Sequence, residues 1–171
     1  LRPDQPAPTH RVAGLRTFVY PGPSIKLPPL AALSLGASVA VVDSKGDFAV
    51  LADGGHVFAA HLAPLDQHEP DFAAVAERFV GVPYLWGGKT SLGLDCSGLT
   101  QLCLAAAGVT APRDSDMMEA ALGRAVELRE DLSGLLRGDL IFWKGHVGIL
   151  TDATTLLHAS GHVMSVYREP L

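Results

Sequence analysis

The sequence predicts an α+β protein in which a β-rich first third precedes helices and then antiparallel strands. Three observations predict this order. Short apolar stretches separated by turn signals fill residues 16–60, helical periodicity begins at residue 71, and strand-like stretches occupy residues 139–167. Helices followed by a run of antiparallel strands are typical of the α+β class. We therefore predict two domains, over residues 1–66 and 67–171.

The first third has the pattern of a small antiparallel β-barrel. Four strands are predicted there, at Arg16–Tyr20, Ser38–Val42, Phe48–Leu51 and Val57–Ala60. The turn signals between them are Pro21-Gly22-Pro23, Asp43-Ser44-Lys45-Gly46-Asp47 and Asp53-Gly54-Gly55. The segment from Pro64 to Pro70 is predicted to be a short linker that leads into the second domain.

Three helices and four strands are predicted in the second domain. Asp71 is expected to cap the first helix and Gly81 to end it, because apolar residues recur at helical spacing between them. The second helix is rich in alanine, begins at Cys96 and ends near Gly108. Ser115 is expected to cap a third, shorter helix. The predicted strands are Asp139–Trp143, His146–Thr151, Thr155–His158 and Val163–Tyr167.

The most informative segment is Leu94–Leu99, which reads LDCSGL and places a cysteine at a loop-to-helix junction. A thiol in the first turn of a helix lies near the positive end of the helix dipole and near free backbone N–H groups. This environment predicts a lowered pKa for the Cys96 thiol. A lowered pKa is what a nucleophilic cysteine requires, since the thiolate is the reactive form.

Two histidines further along the chain complete a catalytic pattern. A cysteine nucleophile needs a base, and the base needs a group that orients it. His146 begins a predicted strand, and His158 lies near the end of the next one. Cys96 would then attack an amide carbon as thiolate, His146 would carry the proton, and His158 would fix the tautomer of His146. His162 is the alternative orienting residue.

Six segments, in this order, resemble the NlpC-type cell-wall peptidases, which are papain-like cysteine peptidases of bacterial peptidoglycan. The segments are Pro83–Gly88 (PYLWGG), Asp95–Leu99 (DCSGL), Pro112–Ser115 (PRDS), Arg137–Trp143 (RGDLIFW), His146–Ile149 (HVGI) and Leu157–Ala159 (LHA). The resemblance covers most of residues 70–171. It implies a papain-like domain in which the helix that carries the cysteine packs on an antiparallel sheet.

The subgroup that the chain resembles most cleaves between γ-D-glutamate and a diamino acid in stem peptides. Its members carry bacterial SH3-like domains ahead of the peptidase domain, and the first third of this chain is similar to such a domain, although more loosely. In that subgroup the SH3-like domain narrows the groove and selects a free N-terminal L-Ala. The resemblance therefore implies peptidoglycan stem peptides or muropeptides as substrates, with recycled fragments favoured over wall polymer.

The resemblance also implies further site residues. Tyr84 is expected to donate its hydroxyl to the oxyanion, together with the backbone N–H of Cys96. Residues at or near the substrate groove are expected to be Trp86, Asp95, Ser97, Arg113, Asp114 and Ser115. Within this set, Ser97 would bind the D-glutamate carboxylate, and Asp114 and Ser115 would meet the diamino acid. A structural ion pair is an equal alternative for Arg113.

The aromatic segment before the cysteine gives a separate expectation. Tyr84 and Trp86 alternate across Leu85, so in an extended segment both would point to the same side. Core packing is the alternative role for Trp86. Gly87 and Gly88 are expected to let the loop turn sharply beneath the site.

Composition excludes several function classes. The formal net charge is −5 and no basic stripe is present, so neither a nucleic-acid partner nor a polybasic membrane anchor is expected. No apolar run reaches the roughly 20 residues of a membrane helix. The first eleven residues, LRPDQPAPTHR, lack a signal sequence, which favours a cytoplasmic protein. Because the sequence does not begin with Met, an upstream leader and a periplasmic or secreted location stay open.

The two cysteines, Cys96 and Cys103, are expected to remain free. Seven residues apart on one helix, their Cα atoms lie roughly 10 Å apart, and a disulfide requires about 7 Å or less. Cys103 is interpreted as a small buried hydrophobic residue. Zinc bound by Cys96, His146 and His158 is a rival interpretation, but the sequence has no paired C-x-x-C or H-E-x-x-H motif. We therefore expect no metal and no organic cofactor.

The predicted function is a cysteine endopeptidase of peptidoglycan peptides with an attached SH3-like module. A papain-like amidase or acyltransferase is the alternative within the same fold, because those enzymes share the thiol, the histidine and a third polar residue. A catalytically inactive wall-binding module is the alternative from a different class. The presence of all three of Cys96, His146 and His158 argues against an inactive site.

Overall fold

A computed structural model of the chain describes residues 6–127 and 129–171. The chain divides into two compact units, Leu1–His68 and Glu69–Leu171. This division lies inside the predicted linker, just after the boundary predicted at residue 66. The predicted first domain also includes residues 1–5, which lie outside the described residues. No helix in the described ranges has the length and hydrophobicity of a membrane span.

The described part of the first unit consists mainly of short antiparallel strands, with a 3-10 helix at Ala59–His61 where the end of the predicted strand Val57–Ala60 was expected. Their bounds are β1 His10–Val12, β2 Arg16–Val19, β3 Ala31–Ser34, β4 Ser38–Val39, β5 Val41–Lys45, β6 Phe48–Leu51, β7 His56–Phe58 and β8 Leu62–Pro64. The strands pair in the orders β4-β1-β8, β2-β3 and β5-β6-β7. These sheets are open as paired, so a single closed barrel remains a prediction. Val19, Val39, Leu51 and Val57 form a buried apolar cluster between them.

Several strand predictions for this unit were wrong in detail. The predicted strand Ser38–Val42 is divided into β4 and β5, and the pairing of β5 with β6 is irregular between Val41 and Asp43. The predicted turn at Asp43–Asp47 is largely strand, because Lys45 still pairs with Phe48 and only two residues form the loop. These polar residues lie on an exposed strand. The prediction missed β1, β3 and β8, which have three or four residues each.

The second unit contains three helices, two very short strands and a four-stranded sheet within its described residues. The bounds are α1 Phe72–Glu77, β9 Lys89–Thr90, β10 Gly93–Leu94, α2 Cys96–Ala106, α3 Ser115–Ala121, β11 Leu140–Trp143, β12 His146–Leu150, β13 Thr155–Ser160 and β14 Ser165–Pro170. The last four strands pair antiparallel in the order β11-β12-β13-β14. This mixed arrangement of helices and antiparallel strands agrees with the predicted α+β order.

The core places the start of α2 against the sheet. Cys96 packs in one buried cluster with Val147 of β12, Met118 of α3, Leu104 and Ala111. Burial of these apolar groups is the main force that holds a helix of only eleven residues in place, since such a helix is marginal by itself. The packing therefore fixes the cysteine next to the strand that begins with a histidine.

Helix ends differ from the predictions in two places. The first helix ends at Glu77 and not at Gly81, because Phe79 and Val80 donate to carbonyl groups three residues back and tighten the chain into a turn. The third helix begins one residue earlier than predicted. Asp114 is its N-cap in extended conformation, and Ser115 is the first helical residue rather than the cap.

Candidate active site

The loop that precedes Cys96 is built around Asp95. Asp95 has extended backbone angles and caps α2, and its Oδ1 accepts the backbone N–H of Gly98 at 2.7 Å. Its Oδ2 accepts the N–H of Gly87 at 2.8 Å. A Cβ at Gly98 would collide with the carbonyl oxygen of Gly88, so only glycine allows this approach. Cys96 is thereby held at the helix start with 7% of its surface exposed.

Arg113 completes the same network. Its Nη1 lies 3.0 Å from Oδ1 of Asp95, and its Nη2 lies 2.8 Å from Oδ2. Nη1 also donates to the Ser97 hydroxyl at 2.7 Å, and that hydroxyl donates to Asp95 at 3.4 Å. Asp95 and Ser97 are both buried. This geometry favours the structural ion pair as the role of Arg113, because its planar donors are occupied by protein acceptors.

Removing the Asp95 carboxylate should destabilise the fold. Burial raises the pKa of Asp95, but hydrogen bonds from Arg113, Gly98 and Gly87 outweigh it and hold that pKa below its usual value. Asp95→Ala loses the helix cap and leaves Arg113 without its partner, so the free energy of unfolding should fall by about 2 kcal/mol. Urea unfolding followed by circular dichroism measures this loss.

The dependence of the free energy of unfolding on pH gives a second test of the role of Asp95. Because its pKa is lowered on folding, its contribution is present above the unfolded value of about 4 and is lost as the pH falls through the folded value. The difference between wild type and Asp95→Ala should therefore shrink in acid. Asp71→Ala, which removes the cap of α1, should show the same trend, because the effect of burial on Asp71 is outweighed by hydrogen bonds from Arg137, Ala74 and Ala73, which lower its pKa as well. A difference that stays constant down to low pH would contradict this account.

The two histidines predicted from the sequence, His146 and His158, contact each other in the four-stranded sheet. Nε2 of His146 lies 2.7 Å from Nδ1 of His158, within hydrogen-bond distance. His158 is 5% exposed, and the ring of Trp143 lies over both imidazoles, with centroid distances of 4.5 Å and 5.9 Å. His162 is exposed, and its backbone N–H donates to Ser160. Of the two candidates, His158 is therefore the one that contacts His146.

The sequence analysis missed two polar residues behind this pair. Oε1 of Glu169 lies 2.8 Å from Nε2 of His158, and Oε2 of Glu169 accepts the Tyr167 hydroxyl at 2.5 Å. Both residues belong to β14, and His158 pairs directly with Tyr167. The signal was present, because residues two apart on a strand share a face. It was overlooked because the predicted strand ended at Tyr167.

The predicted lowering of the Cys96 pKa was wrong in direction. Burial raises the pKa of the Cys96 thiol above its ordinary value, and the backbone N–H groups of Val147, Ser97 and Cys96 only partly offset this effect. Burial, followed by the charge of His158, lowers the pKa of His146 to about 4. Desolvation of the charged forms thus outweighs the helix dipole. Both shifts favour a neutral thiol and a neutral imidazole in the resting enzyme.

Alkylation of Cys96 should follow this raised pKa. Iodoacetamide reacts with thiolate, so its rate at Cys96 should keep rising above pH 8.5, the approximate value of a free thiol, rather than level off near pH 7. Cys103 is fully buried, and burial raises its pKa as well, so it should stay unlabelled in the folded protein. Peptide mass spectrometry across pH 6–10 separates the two cysteines. A plateau below about pH 7 would restore the predicted ion pair.

The aromatic segment forms a turn instead of the extended segment that was predicted. Gly88 N–H donates to the carbonyl of Leu85 at 2.8 Å, and Gly87 has φ +75°, a conformation that favours glycine. This confirms the sharp turn expected at the two glycines. Trp86 lies within the turn and is 83% exposed, so it does not pack in the core. Tyr84 is half-buried, and burial, followed by the Cys96 charge, raises its pKa.

The other predicted groove residues lie at the start of α3. Asp114 is exposed and Ser115 is half-buried. The pKa of Arg113 is raised first by its hydrogen bond with Asp95 and further by the charges of Asp95, Asp114 and Cys96. Cys103 is completely buried, as predicted, and both cysteines are free. Within residues 6–127 and 129–171, no three His, Cys, Asp or Glu side chains are grouped to hold a metal ion.

Comparisons with known proteins bear on this site. A family model described as the NlpC/P60 family matches residues 81–169. Dipeptidyl-peptidase 6 of Lysinibacillus sphaericus is 35% identical over 105 residues, which are 61% of this chain and 35% of that protein. Gamma-D-glutamyl-L-lysine dipeptidyl-peptidase of Bacillus subtilis is 38% identical over 132 residues, which are 70% of this chain and 43% of that protein. The chain thus spans less than half the length of these curated relatives.

A solved structure agrees with the sequence matches. The crystal structure of an NlpC/P60 family protein from Bacillus cereus aligns with 96% of this chain and 58% of its own, with a TM-score of 0.78 and 26% identity. The resemblance to NlpC-type peptidases is therefore confirmed. The matched residues 81–169 are just over half of the 171 in the chain and include Cys96, both histidines and all but the last residue of the four-stranded sheet. On these grounds the chain belongs to the NlpC/P60 family.

Proposed function

We propose that this chain is a cysteine endopeptidase that hydrolyses the bond between γ-D-glutamate and a diamino acid, either diaminopimelate or lysine, in peptidoglycan stem peptides. The proposal rests on one arrangement of side chains. His146 is the first residue of β12, and its Nε2 lies 2.7 Å from Nδ1 of His158, while Cys96 is the first residue of α2 and packs against Val147 of β12. The name of the Bacillus subtilis relative, gamma-D-glutamyl-L-lysine dipeptidyl-peptidase, supports this bond over other amides.

The proposed reaction follows from the neutral resting pair. Nε2 of His146 is engaged with His158, so Nδ1 is the ring nitrogen left to take the Cys96 proton. The sulfur attacks the γ-carbonyl carbon, and the carbonyl electron pair moves to its oxygen. Collapse of this intermediate expels the diamino-acid amine, which takes the proton from His146. Water then attacks the thioester, gives a proton to His146, and releases the glutamyl product and the thiol.

Stabilisation of the oxyanion is assigned to the start of α2 and to Tyr84. Negative charge on the carbonyl oxygen is favoured by the backbone N–H of Cys96 and by the Tyr84 hydroxyl, whose pKa already responds to charge at Cys96. A hydroxyl with a raised pKa keeps its proton at neutral pH and can donate it. Each such donor is worth about 3 kcal/mol of barrier.

Substrate contacts are proposed at two places. The exposed ring of Trp86 offers an apolar face to the peptide, and Asp114 and Ser115 offer polar groups to the zwitterionic diamino acid. Asp95, Ser97 and Arg113 are bonded to one another, so we propose that they support the groove wall, with the Ser97 hydroxyl nearest to the D-glutamate carboxylate. We also propose that the first unit is an SH3-like domain.

Hydrolysis of L-Ala-γ-D-Glu-diaminopimelate and of its lysine analogue tests the function. Chromatography with mass spectrometry should show L-Ala-D-Glu and the free diamino acid. The same peptide with an acetylated N-terminus tests the requirement for free L-Ala, which we expect from recycled fragments in the cytoplasm. An inactive wall-binding module would give no product. An amidase or acyltransferase would release a different fragment or require an added acceptor amine.

A further inference from the structure

A carboxylate on β14 lies next to His158, the second histidine of the pair. Nε2 of His158 is buried, and no hydrogen-bond partner of good geometry meets it among the described residues. The Oε1 atom of Glu169 lies 2.8 Å from it, at ion-pair distance but not in line with the N–H. Glu169 reaches His158 diagonally, because Tyr167 is the residue directly opposite His158 and the two rings lie 5.0 Å apart.

This contact favours one placement of the ring protons. A carboxylate accepts protons and attracts positive charge, so Glu169 at 2.8 Å favours the tautomer of His158 that is protonated at Nε2. Nδ1 of His158 is then an acceptor and takes the N–H of Nε2 of His146. Nδ1 of His146 is consequently unprotonated. That nitrogen is the one assigned above to the Cys96 proton.

We infer that Glu169 is a positioning residue that holds His158 and, through it, His146 in the tautomers that leave Nδ1 of His146 free as the base. The inference rests on the proposed function of Cys96 and His146. The negative charge of Glu169 also stabilises the imidazolium that forms when His146 takes the thiol proton. Tyr167 orients the carboxylate by donating its hydroxyl to the other oxygen.

Among the charged groups near the histidine pair, Glu169 is the carboxylate that contacts His158. The charge of Asp95, the N-cap of α2, also acts on His146, but Arg113 balances that charge at 2.8 Å. Behind the pair, Tyr167 and Glu169 share one face of β14, whereas Arg168 between them pairs with Glu77 at 3.4 Å. The Tyr167 hydroxyl, and to a lesser extent the charges of both histidines, lower the pKa of Glu169, so it stays ionised at neutral pH. Burial lowers the pKa of His158, and the charge of Glu169 opposes this.

Kinetics of Glu169 variants test the inference. Glu169→Gln keeps the size of the side chain and removes its charge. Its kcat should fall about 10-fold to 100-fold, as for other outer partners of functional histidines, while KM changes little because Glu169 touches no substrate. The acid limb of the pH profile should move to lower pH by about half a unit to one unit, since a lost carboxylate disfavours imidazolium.

Three further variants separate charge from packing. Glu169→Asp keeps the charge and should retain more kcat than Glu169→Gln, whereas a packing role would give the reverse order. Tyr167→Phe removes the hydroxyl that orients the carboxylate and should produce a smaller fall in kcat of the same kind. Glu77→Gln is the matched control, because that carboxylate pairs with Arg137 on the surface and should leave the pH profile unchanged.

Nuclear magnetic resonance of the imidazole nitrogens tests the inference without substrate. In the wild type, His146 and His158 should both be protonated at Nε2 when neutral, and their titration midpoints should fall in Glu169→Gln. An unchanged kcat with unchanged midpoints in that variant would overturn the inference, as would a Glu169→Asp variant weaker than Glu169→Gln. If the wild type hydrolysed no stem peptide, the proposed function would fail, while the nitrogen signals would still decide the role of Glu169.

Discussion

Cys96→Ala should abolish stem-peptide hydrolysis while leaving the protein folded. Loss of a covalent nucleophile removes every step that depends on the thioester, and comparable losses in hydrolases reach about 10⁶-fold in kcat. The structural cost is small, because only one buried sulfur atom is removed from the cluster with Val147 and Met118. We expect about 1 kcal/mol of lost stability. Product formation and a thermal melt of the same sample measure the two effects.

Cys103→Ala provides the matched control for that experiment. Cys103 lies on the same helix, two turns after Cys96, and is completely buried. Its truncation costs packing as well, but it removes no group that meets substrate, so kcat should stay near the wild-type value. Turnover of Cys96→Ala above about one hundredth of wild type would place the nucleophile elsewhere, since side-chain removal from a catalytic triad does not leave that much activity.

Local signals explain which parts of the fold were predictable. The strand Phe48–Leu51 was predicted with its observed bounds, and α2 was placed correctly from the loop-to-helix junction at Cys96 and its alanine-rich interior. Those signals lie within the element itself. The strands His10–Val12 and Leu62–Pro64 pair with each other across the first unit, and three residues carry too little periodicity to reveal such a partner.

In the site, too, the residues that lie in local motifs were predictable, and the contact that depends on strand pairing was not. Cys96, His146 and His158 lie in short motifs, and the expected contact between the two histidines is present at 2.7 Å. The contact with Glu169 depends on the register of the last two strands. The sequence placed the final strand at Val163–Tyr167, whereas it runs over Ser165–Pro170 after a turn in which Met164 has φ +55°. Glu169 was therefore left outside the strand that carries it.

The error in the Cys96 pKa has a different physical origin. The helix dipole is a local property that a sequence reveals, while the extent of burial is decided by packing against β12 and α3. Burial raises a thiol pKa because it removes water from the charged form. At Cys96, burial together with the charge of Asp95 outweighs the effect of three backbone N–H groups. A base that takes the proton during attack is thus more important here than a preformed thiolate.

His158→Ala is the second substitution with a large expected effect, and His162→Ala is its matched control. His158 contacts His146 at 2.7 Å, whereas His162 is exposed four residues further along, beyond Ser160. Without His158, nothing fixes the tautomer of His146 or stabilises its imidazolium. The expected loss in kcat is about 10²-fold to 10⁴-fold, with little change in KM because the ring does not touch substrate.

The two variants should therefore separate clearly in steady-state kinetics on the same peptide. His162→Ala should stay within about twofold of wild type, as is usual for an exposed side chain without buried partners. His158→Ala should also weaken the dependence of the acid limb on Glu169, because the carboxylate then acts on His146 by its charge alone and no longer through the His158 ring. A large kcat loss in His162→Ala with a near-normal His158→Ala would move the orienting role to His162 and remove the basis for assigning Glu169 its role.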